Sequence, residues 1–545
     1  MASIGSFAVS EISKDNPKIS RIRTTLETLM FQNNITEVHS AAEAYHLAHQ
    51  SKGTIVTDMP VYAPEKIGLP ENAKVLLFND GNVVGRTAAA RVILGVDEAD
   101  QDEYAAIARE AVYQMRYKNL YHAQAVIGLD KDFMIRAHLI IPENYENILY
   151  NWMMNFHEFS EDIKELYKNS KSYPETDIII VSDPDQQMEG RDNGLALFDP
   201  MHNCALLCGL RYFGEHKKGT LTLGWTIANR NGHASCHGGM KRIEKKDGTT
   251  KVLGVFGLSG SGKSTLTHAT HDGKYNVEIL HDDAYIIHEE DGHSIALEPS
   301  YFDKTADYPA GSEANQYLVS IQNCGATRAD DGRILPVTED IRNGNGRAIK
   351  SVLWTTNRIN RIDESVDAIC WIMKEEIMPP FVRVNDPVLA SVLGATLATK
   401  RSSAENLAKG YNMNQLVIEP YANPFRTYPL KNDYVKFKSL FENRDVGGFV
   451  LNTGAFMGKD IKKEVTIDLL EQYIEDRVQW KKLFGSDKIE YAVVEGYEVE
   501  ETESYKKALI DSIKQRIQYL KGVKEMNKLP EEAIEALEAL LEEIN

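Results

Sequence analysis

The run VLGVFGLSGSGKSTLT, residues 252 to 267, constrains this chain more than any other stretch. An apolar strand leads into Gly257, Leu258, Ser259, Gly260, Ser261, Gly262, Lys263 and Ser264, which fit G-x-x-x-x-G-K-[ST] without a mismatch, and the text from Thr265 onward is helical in character. Strand, glycine turn and helix in that order predict an α/β unit. The glycines let backbone N–H groups turn around phosphate oxygens, Lys263 brings a point charge to the β- and γ-phosphates, and Ser264 can ligate a divalent cation. The motif implies a nucleoside triphosphate and leaves the phosphoryl acceptor open.

With 545 residues, the chain has the length of three to four domain-sized units or two large lobes. Hydrophobic residues at 43% and charged residues at 26% exclude a disordered, collagen-like or coiled-coil chain. A formal charge of 61 − 80 = −19 argues against nucleic acid or an anionic membrane as the main partner, so small-molecule partners are expected. The opening MASIGSFAVSEISKDNPK lacks the basic and apolar regions of a secretion signal, and no run of 18 apolar residues occurs. Cytoplasm is the expected location. Cys204, Cys208, Cys236, Cys324 and Cys370 are few and odd in number, as suits a reducing compartment. Cys204 and Cys208 fall in an apolar run and read as buried small hydrophobes; their spacing is a poor zinc pattern.

Residues 20 to 50 and 100 to 118 read as helical, and the apolar runs HLIIP, DIIIVSD and NCALLCGLRYFG read as buried strands of a mixed α/β lobe over residues 1–235. A second lobe holding the phosphate loop is expected over residues 236–460. Beyond residue 460 the composition turns to Glu, Lys, Leu and Ile. Pro530 and the stripe Ile534, Leu537, Leu541 and Ile544 predict a helical appendage over residues 461–545.

One strand after the phosphate loop, LHDDAYII delivers Asp282 and Asp283 side by side. An Asp pair is either a surface turn or a hard-cation site, and its position here favours the metal. Upstream lie Tyr212, Lys217 and Lys218 in RYFGEHKKGTLT and His237 in GHASCHGGMK. An isolated Lys-Lys is ordinary solvent-facing filler. Together with Arg86 in GRT and Arg342 in EDIR, these cations can instead hold an acidic, phosphorylated substrate in a protein of opposite overall sign.

In order and spacing these residues resemble the ATP-type phosphoenolpyruvate carboxykinases. The family's Y-x-G-E-x-K-K-G is YFGEHKKG here, its histidine nineteen residues after the second lysine falls on His237, and its loop G-L-S-G-x-G-K-[ST]-T is GLSGSGKST. Its acidic pair falls on Asp282 and Asp283, its E-x-x-x-Y-x-K-T on EPSYFDKT from Glu298, its E-N-T-R on EDIR, its P-P-x-x-R on PPFVR ending at Arg383, and its V-N-T-G on LNTG from Leu451. The resemblance spans residues 85 to 455 or so.

The resemblance implies a two-lobed α/β fold with a P-loop mononucleotide-binding C-terminal domain, here with extra C-terminal helices. It implies that oxaloacetate loses CO₂ and that the resulting enolate takes the γ-phosphoryl group of ATP, reversibly giving phosphoenolpyruvate and ADP. Mn²⁺ is then expected on Lys218, His237 and Asp283, with Lys218 as a neutral amine, and Mg²⁺ travels with ATP to Ser264 with Asp282 nearby. Lys263 and Lys217 neutralise charge on the transferring group, Arg86 binds the substrate carboxylate, Arg342 bridges substrate and γ-phosphate, Tyr212 lines the substrate pocket, and Ser259 faces that junction. Glu298 and the loop from Gly257 to Thr265 serve the nucleotide.

Several positions depart from the pattern. GRTAAAR stands where the family reads GRSPKDK, with Arg91 as a candidate replacement cation. HGGMK stands for H-C-S-A-N, AYII follows the acidic pair, and Pro299 and Ser300 replace two glycines. The segment WTTNRINRIDESVDAICWIMKEEI reads as an insertion, and the adenine-binding segment is unrecognisable before Glu419 and Pro420. Two other functions fit the same motifs: a kinase of this fold acting on a different small acid, and a nucleotide-binding regulatory protein without turnover. His268, His271, His281 and His288 cluster near the loop in sequence and receive no role.

Overall fold

A computed structural model of the chain describes residues 2–79, 85–258, 260–309, 311–339, 346–400 and 416–545. These residues divide into two compact units. The first combines residues up to Ile227 with Leu297–Thr356, and the second takes Ala228–Ala296 and the described residues from Asn357 onward. The chain first passes from one unit to the other between Ile227 and Ala228. Residues 297–356, expected with the phosphate loop, belong to the first unit because the strands within them extend one of its sheets.

In the first unit, one sheet runs Ile35–Val38, Leu120–Asp130, Phe133–Pro142, Ile178–Asp183, Cys204–Cys208, Leu195–Asp199 and Arg91–Ile93. Three of these strands, 178–183, 195–199 and 204–208, are buried along their whole length. Cys204 and Cys208 pack there with Leu26, Ala108, Met115 and Leu206, as expected of small hydrophobes. The 20–50 stretch is not one helix. Ser20 caps Arg21–Glu27 by accepting from the Arg23 N–H, Ser40 caps Ala41–Gln50 by accepting from the Glu43 N–H, and the β-branched residues of ITEV make the strand Ile35–Val38 between them. A second sheet orders Tyr301–Lys304, Arg347–Lys350, Leu318–Gln322, Lys74–Phe78 and Thr54–Pro60.

The second unit is built on a sheet in the order Arg361–Ile362, Ser294–Ala296, Ala284–His288, His233–Glu244, Thr250–Phe256, Ala368–Met373, Gly447–Asn452, Phe381–Val384, Ile489–Ala492 and Trp480–Lys482, with Asn276–His281 also paired to His233–Glu244. Thr250–Phe256 lies parallel to Ala368–Met373, which lies parallel to Gly447–Asn452. Two expectations fail here. The supposed insertion contains Ala368–Met373, a fully buried strand directly beside the one that leads into the phosphate loop. The supposed appendage supplies two sheet strands, Trp480–Lys482 and Ile489–Ala492, so residues 461–545 belong to the core of the unit. The helices Glu503–Gly522 and Glu532–Ile544 do follow, and the latter buries Ala533, Leu537, Leu540 and Ile544, a stripe turned by one residue from the expected one. Among the described residues no helix is long and apolar enough to cross a membrane.

Candidate active site

The strand Thr250–Phe256 ends at Gly257, and the helix Lys263–Thr267 starts immediately after Gly262. Gly262 has φ +96°, a backbone state that L side chains rarely adopt, so a glycine is needed where the loop turns into the helix. Two side chains hold the loop from its flank: Lys374 Nζ donates to the Gly260 carbonyl at 2.8 Å, and Thr453 Oγ1 donates to the Ser261 carbonyl at 2.7 Å. Thr453 belongs to the LNTG stretch, which accounts for the position of that motif beside the loop. Opposite the helix, a Cβ at Gly239 would lie 1.9 Å from Thr267 Oγ1. At Gly239, within HGGMK, the phosphate-loop helix therefore approaches the strand too closely for a side chain. Ser259 lies outside the described residues.

Three side chains converge at the end of this loop. Lys263 is buried, with Nζ 3.4 Å from Asp283 Oδ1, and the same oxygen lies 3.1 Å from His237 Nε2. His237 Nδ1 donates to the Ala422 carbonyl, which places a proton on Nδ1 and turns Nε2 toward Asp283. His237 lies inside the strand His233–Glu244, opposite Ala284 in register, and Asp283 immediately precedes the strand Ala284–His288. The turn between the strands is pinned by His281, whose Nδ1 accepts from the N–H groups of Asp283 and Ala284 at 3.0 and 3.1 Å. His281 is fully buried and immediately precedes the acidic pair; HDD in the sequence was its signal.

Asp282 points elsewhere than Asp283. It is buried, with Oδ2 3.3 Å from His268 Nε2 and Oδ1 4.0 Å from His281 Nδ1. Burial alone would raise its carboxyl, but the hydrogen bond from His268 and the charges of His268, His281 and Lys263 hold it well below the usual carboxylate range. The two adjacent acids thus have separate partners, one facing His237 and Lys263, the other facing His268.

A cavity of about 370 Å³ beside the loop is lined by Lys374, Glu376, Lys400, Thr453, Gly454 and Asp460, among others. Its wall is fixed by Asn452, whose Nδ2 donates to the carbonyls of Glu375, Met378 and Ala455. Burial, with the charge of Lys400, lowers the pKa of Lys374. Glu375 in turn is paired with Arg516 of the helix Glu503–Gly522 and accepts from Ser512 of the same helix. Asn452, Thr453 and Gly454 stand in LNTG, whereas Lys374, Glu375, Glu376, Lys400 and Asp460 stand in no recognisable motif.

The remaining predicted residues lie in the first unit. Tyr212 is buried, its ring 6.2 Å from that of Phe302. Lys217 and Lys218 lie in the helix Phe213–Arg230 and face different ways. Lys217 is fully buried with Nζ 3.0 Å from Glu298, whose other oxygen accepts from Asn155 at 2.6 Å. Glu298 is therefore held inside the unit together with Lys217. Lys218 is half-buried, with Nζ 5.5 Å from the Trp225 ring. Arg86 is half-buried. Arg91 donates to Thr222 Oγ1 at 2.8 Å and stacks on Phe198, and burial brings its pKa down to about 10. Arg342 lies outside the described residues.

The chain is thus a mixed α/β protein in which a G-x-x-x-x-G-K-[ST] sequence joins a strand to a short helix and its lysine meets a His–Asp pair. The family model of phosphoenolpyruvate carboxykinase matches residues 88–319, the stretch that carries Lys217, Lys218, His237, the loop, both aspartates and Glu298. The chain is also 24% identical over 296 residues to a phosphoenolpyruvate carboxykinase (ATP) of Aeropyrum pernix, an alignment covering 52% of this chain and 59% of that relative. Over this part of its length the chain is similar to the ATP-type phosphoenolpyruvate carboxykinases, and it spans about 59% of that relative.

Proposed function

We propose that the chain catalyses the reversible, ATP-dependent conversion of oxaloacetate to phosphoenolpyruvate, ADP and CO₂. The observation that carries this reading is the convergence of Lys263 and His237 on one oxygen of Asp283 at the end of the phosphate loop. With a proton on Nδ1, His237 turns Nε2 to a carboxylate oxygen of Asp283 at 3.1 Å. An imidazole nitrogen and a carboxylate oxygen brought together are donor types that a divalent metal takes, so the donor set fits one. We assign His237 and Asp283 to Mn²⁺, and Lys218 as third ligand from the family motif. Ser264, with Asp282 nearby, is assigned to the Mg²⁺ that accompanies ATP. When bound, the Mn²⁺ supplies Lewis-acid stabilisation of negative charge on the substrate oxygen after CO₂ leaves.

The chain's own residues do the rest. Ala422 orients His237, and His281 orients Asp283, so the pair is held before any ligand arrives. Lys263 and Lys217 are assigned to the charge on the transferring phosphoryl group, Arg86 and Arg342 to the carboxylate and γ-phosphate, and Tyr212 to the substrate pocket. The loop from Gly257 to Thr265 takes the phosphates, and the cavity at Lys374 and Thr453 lies where the rest of a nucleotide can follow. Glu298 is assigned to the nucleotide, and its pairing with Lys217 keeps that lysine in place. The protein is proposed to act in the cytoplasm on these small molecules.

A second reading is favoured by GRTAAAR. Arg91, the one cation that could replace the missing family Lys, is engaged by Thr222 and Phe198, so a different small acid could be the phosphoryl acceptor. One assay separates the two: carboxylation of phosphoenolpyruvate with bicarbonate, Mn²⁺, Mg²⁺ and ADP or GDP, read as malate, beside a Lys218→Ala control. Oxaloacetate that requires Mn²⁺ and vanishes in the control is the expected result. ATP binding without oxaloacetate from either nucleotide would overturn the assigned reaction.

A further inference from the structure

The paired strands that carry His237 and Asp283 at one end carry a second cluster at the other. His288 ends the strand Ala284–His288, opposite His233, and the turn HEEDGH returns the chain through Asp291 to His293. His288 Nδ1 lies 2.9 Å and His293 Nδ1 2.5 Å from the same oxygen, Oδ1 of Asp291. That oxygen also accepts the His293 N–H at 3.2 Å. The two imidazole rings are stacked with centroids 4.8 Å apart, and the His233 ring stands 4.9 Å from that of His288.

The turn is rigid. The His288 N–H donates to the His293 carbonyl, the Gly292 N–H to the His288 carbonyl, and the Glu289 N–H to the Gly232 carbonyl, each at 2.9 Å. Lys436 pairs with Glu289 at 3.0 Å from the adjoining helix. His293 is buried, while the Asp291 side chain is 59% exposed, so the cluster is held from behind and open to water in front.

From this geometry we infer that His288, Asp291 and His293 form a binding site for a divalent transition-metal ion of the Zn²⁺ class. Two neutral imidazole nitrogens and one carboxylate oxygen are the donor types that Zn²⁺ selects, and hard ions such as Mg²⁺ do not favour them. The two Nδ1 atoms already point at one oxygen, so replacing their protons by a cation requires only a small spreading of three atoms on a fixed turn. Water at the open face supplies the fourth position. The site stands four paired residues from His237, roughly 13 Å along the strands. It is independent of the carboxykinase reading.

The test uses full-length protein stripped with a chelator, re-equilibrated with Zn²⁺ alone and assayed for bound metal after dialysis. Asp291→Asn removes an exposed carboxylate without disturbing the core, and His288→Gln/His293→Gln removes both nitrogens. Each is expected to lower the bound Zn²⁺ by about one equivalent, whereas His237→Gln is expected to leave this equivalent in place. With Co²⁺ in place of Zn²⁺, the visible d–d absorption of this site should vanish in Asp291→Asn and persist in His237→Gln. Equal metal content and equal Co²⁺ spectra in wild type and Asp291→Asn would overturn the proposal, as would loss of the signal in His237→Gln alone.

Discussion

Lys217 and Lys241 are both withdrawn from water, and their surroundings differ in one respect. Lys217 meets a carboxylate, Glu298, at 3.0 Å with both groups fully buried. Lys241, on the strand His233–Glu244 behind the phosphate loop, meets the Leu266 carbonyl at 2.7 Å, the Ala269 carbonyl at 3.5 Å and His271 Nε2 at 2.9 Å. Its nearest opposing charge, Glu471, is bonded to His271 and Lys274. Burial pushes Lys241 down to about 7, and Glu471 only partly opposes this. A buried amine facing a carboxylate is a fixed charge, and one facing carbonyls and a neutral ring is a titrating one. The first kind suits a residue assigned to hold charge on a substrate. The second ties the end of the phosphate-loop helix to the sheet in a manner that depends on pH.

The largest effect is expected where the comparison is broken on the carboxylate side. Glu298→Gln leaves the Lys217 ammonium buried without its counter-charge, and such single deletions typically destabilise by about 3–5 kcal/mol. Chemical denaturation of the variant measures this directly. A loss under about 1 kcal/mol would mean that the pair is not the fixed charge described here. Next in size is Lys263→Met. This lysine faces Asp283 and not a closed ion pair, so its removal is expected to leave the fold intact and to lower turnover about 100- to 1000-fold, the range for one positioned charge donor. Steady-state kinetics beside a thermal melt distinguishes the two.

On the titrating side, the sign follows from linkage. The folded pKa of Lys241, about 7, lies below that of an ordinary lysine, so between pH 7 and about 10 the unfolded chain holds a proton that the folded chain does not. Stability attributable to this residue therefore rises with pH across that window, by up to about 1.4 kcal/mol per unit, and is flat below it. Lys241→Met removes the slope. Unfolding free energies of wild type and variant at pH 7, 8 and 9 should diverge steadily, and parallel curves would place the Lys241 pKa outside the window.

The legibility of the two regions in the sequence differs for the same physical reason. Phosphate binding needs a fixed backbone shape, so Gly257 to Ser264 leaves a local, contiguous signature, and the resemblance carried His237 and Asp283 with it. The supports of that site have no such signature. His281, the Ala422 carbonyl, Lys374 and Asn452 act through a few hydrogen bonds from positions spread over residues 281 to 452, each set by tertiary register. The same holds for the fold. Buried runs such as DIIIVSD were readable as strands, whereas CWIM was hidden inside a polar segment, and Trp480–Lys482 and Ile489–Ala492 were hidden in composition typical of helices. Helical patterning in 20–50 likewise concealed the separate caps at Ser20 and Ser40.

The smallest effect sharpens the comparison with a third lysine, Lys374. It contacts the phosphate loop by one bond, from Nζ to the Gly260 carbonyl at 2.8 Å, and lines the adjoining cavity. Thr453 holds the neighbouring Ser261 carbonyl independently, so the loop keeps one of its two flanking supports when Lys374 is lost. Lys374→Met is then expected to weaken ATP binding by about 1 kcal/mol, roughly fivefold, with little change in melting temperature. Adding Thr453→Val removes the second support, and the two losses should exceed their sum if the loop depends on either bond to keep its shape. Calorimetric titration of ATP against the single and double variants measures the coupling. Strict additivity would mean that the loop's shape comes from its own glycines, and that Lys374 acts on the nucleotide by charge alone.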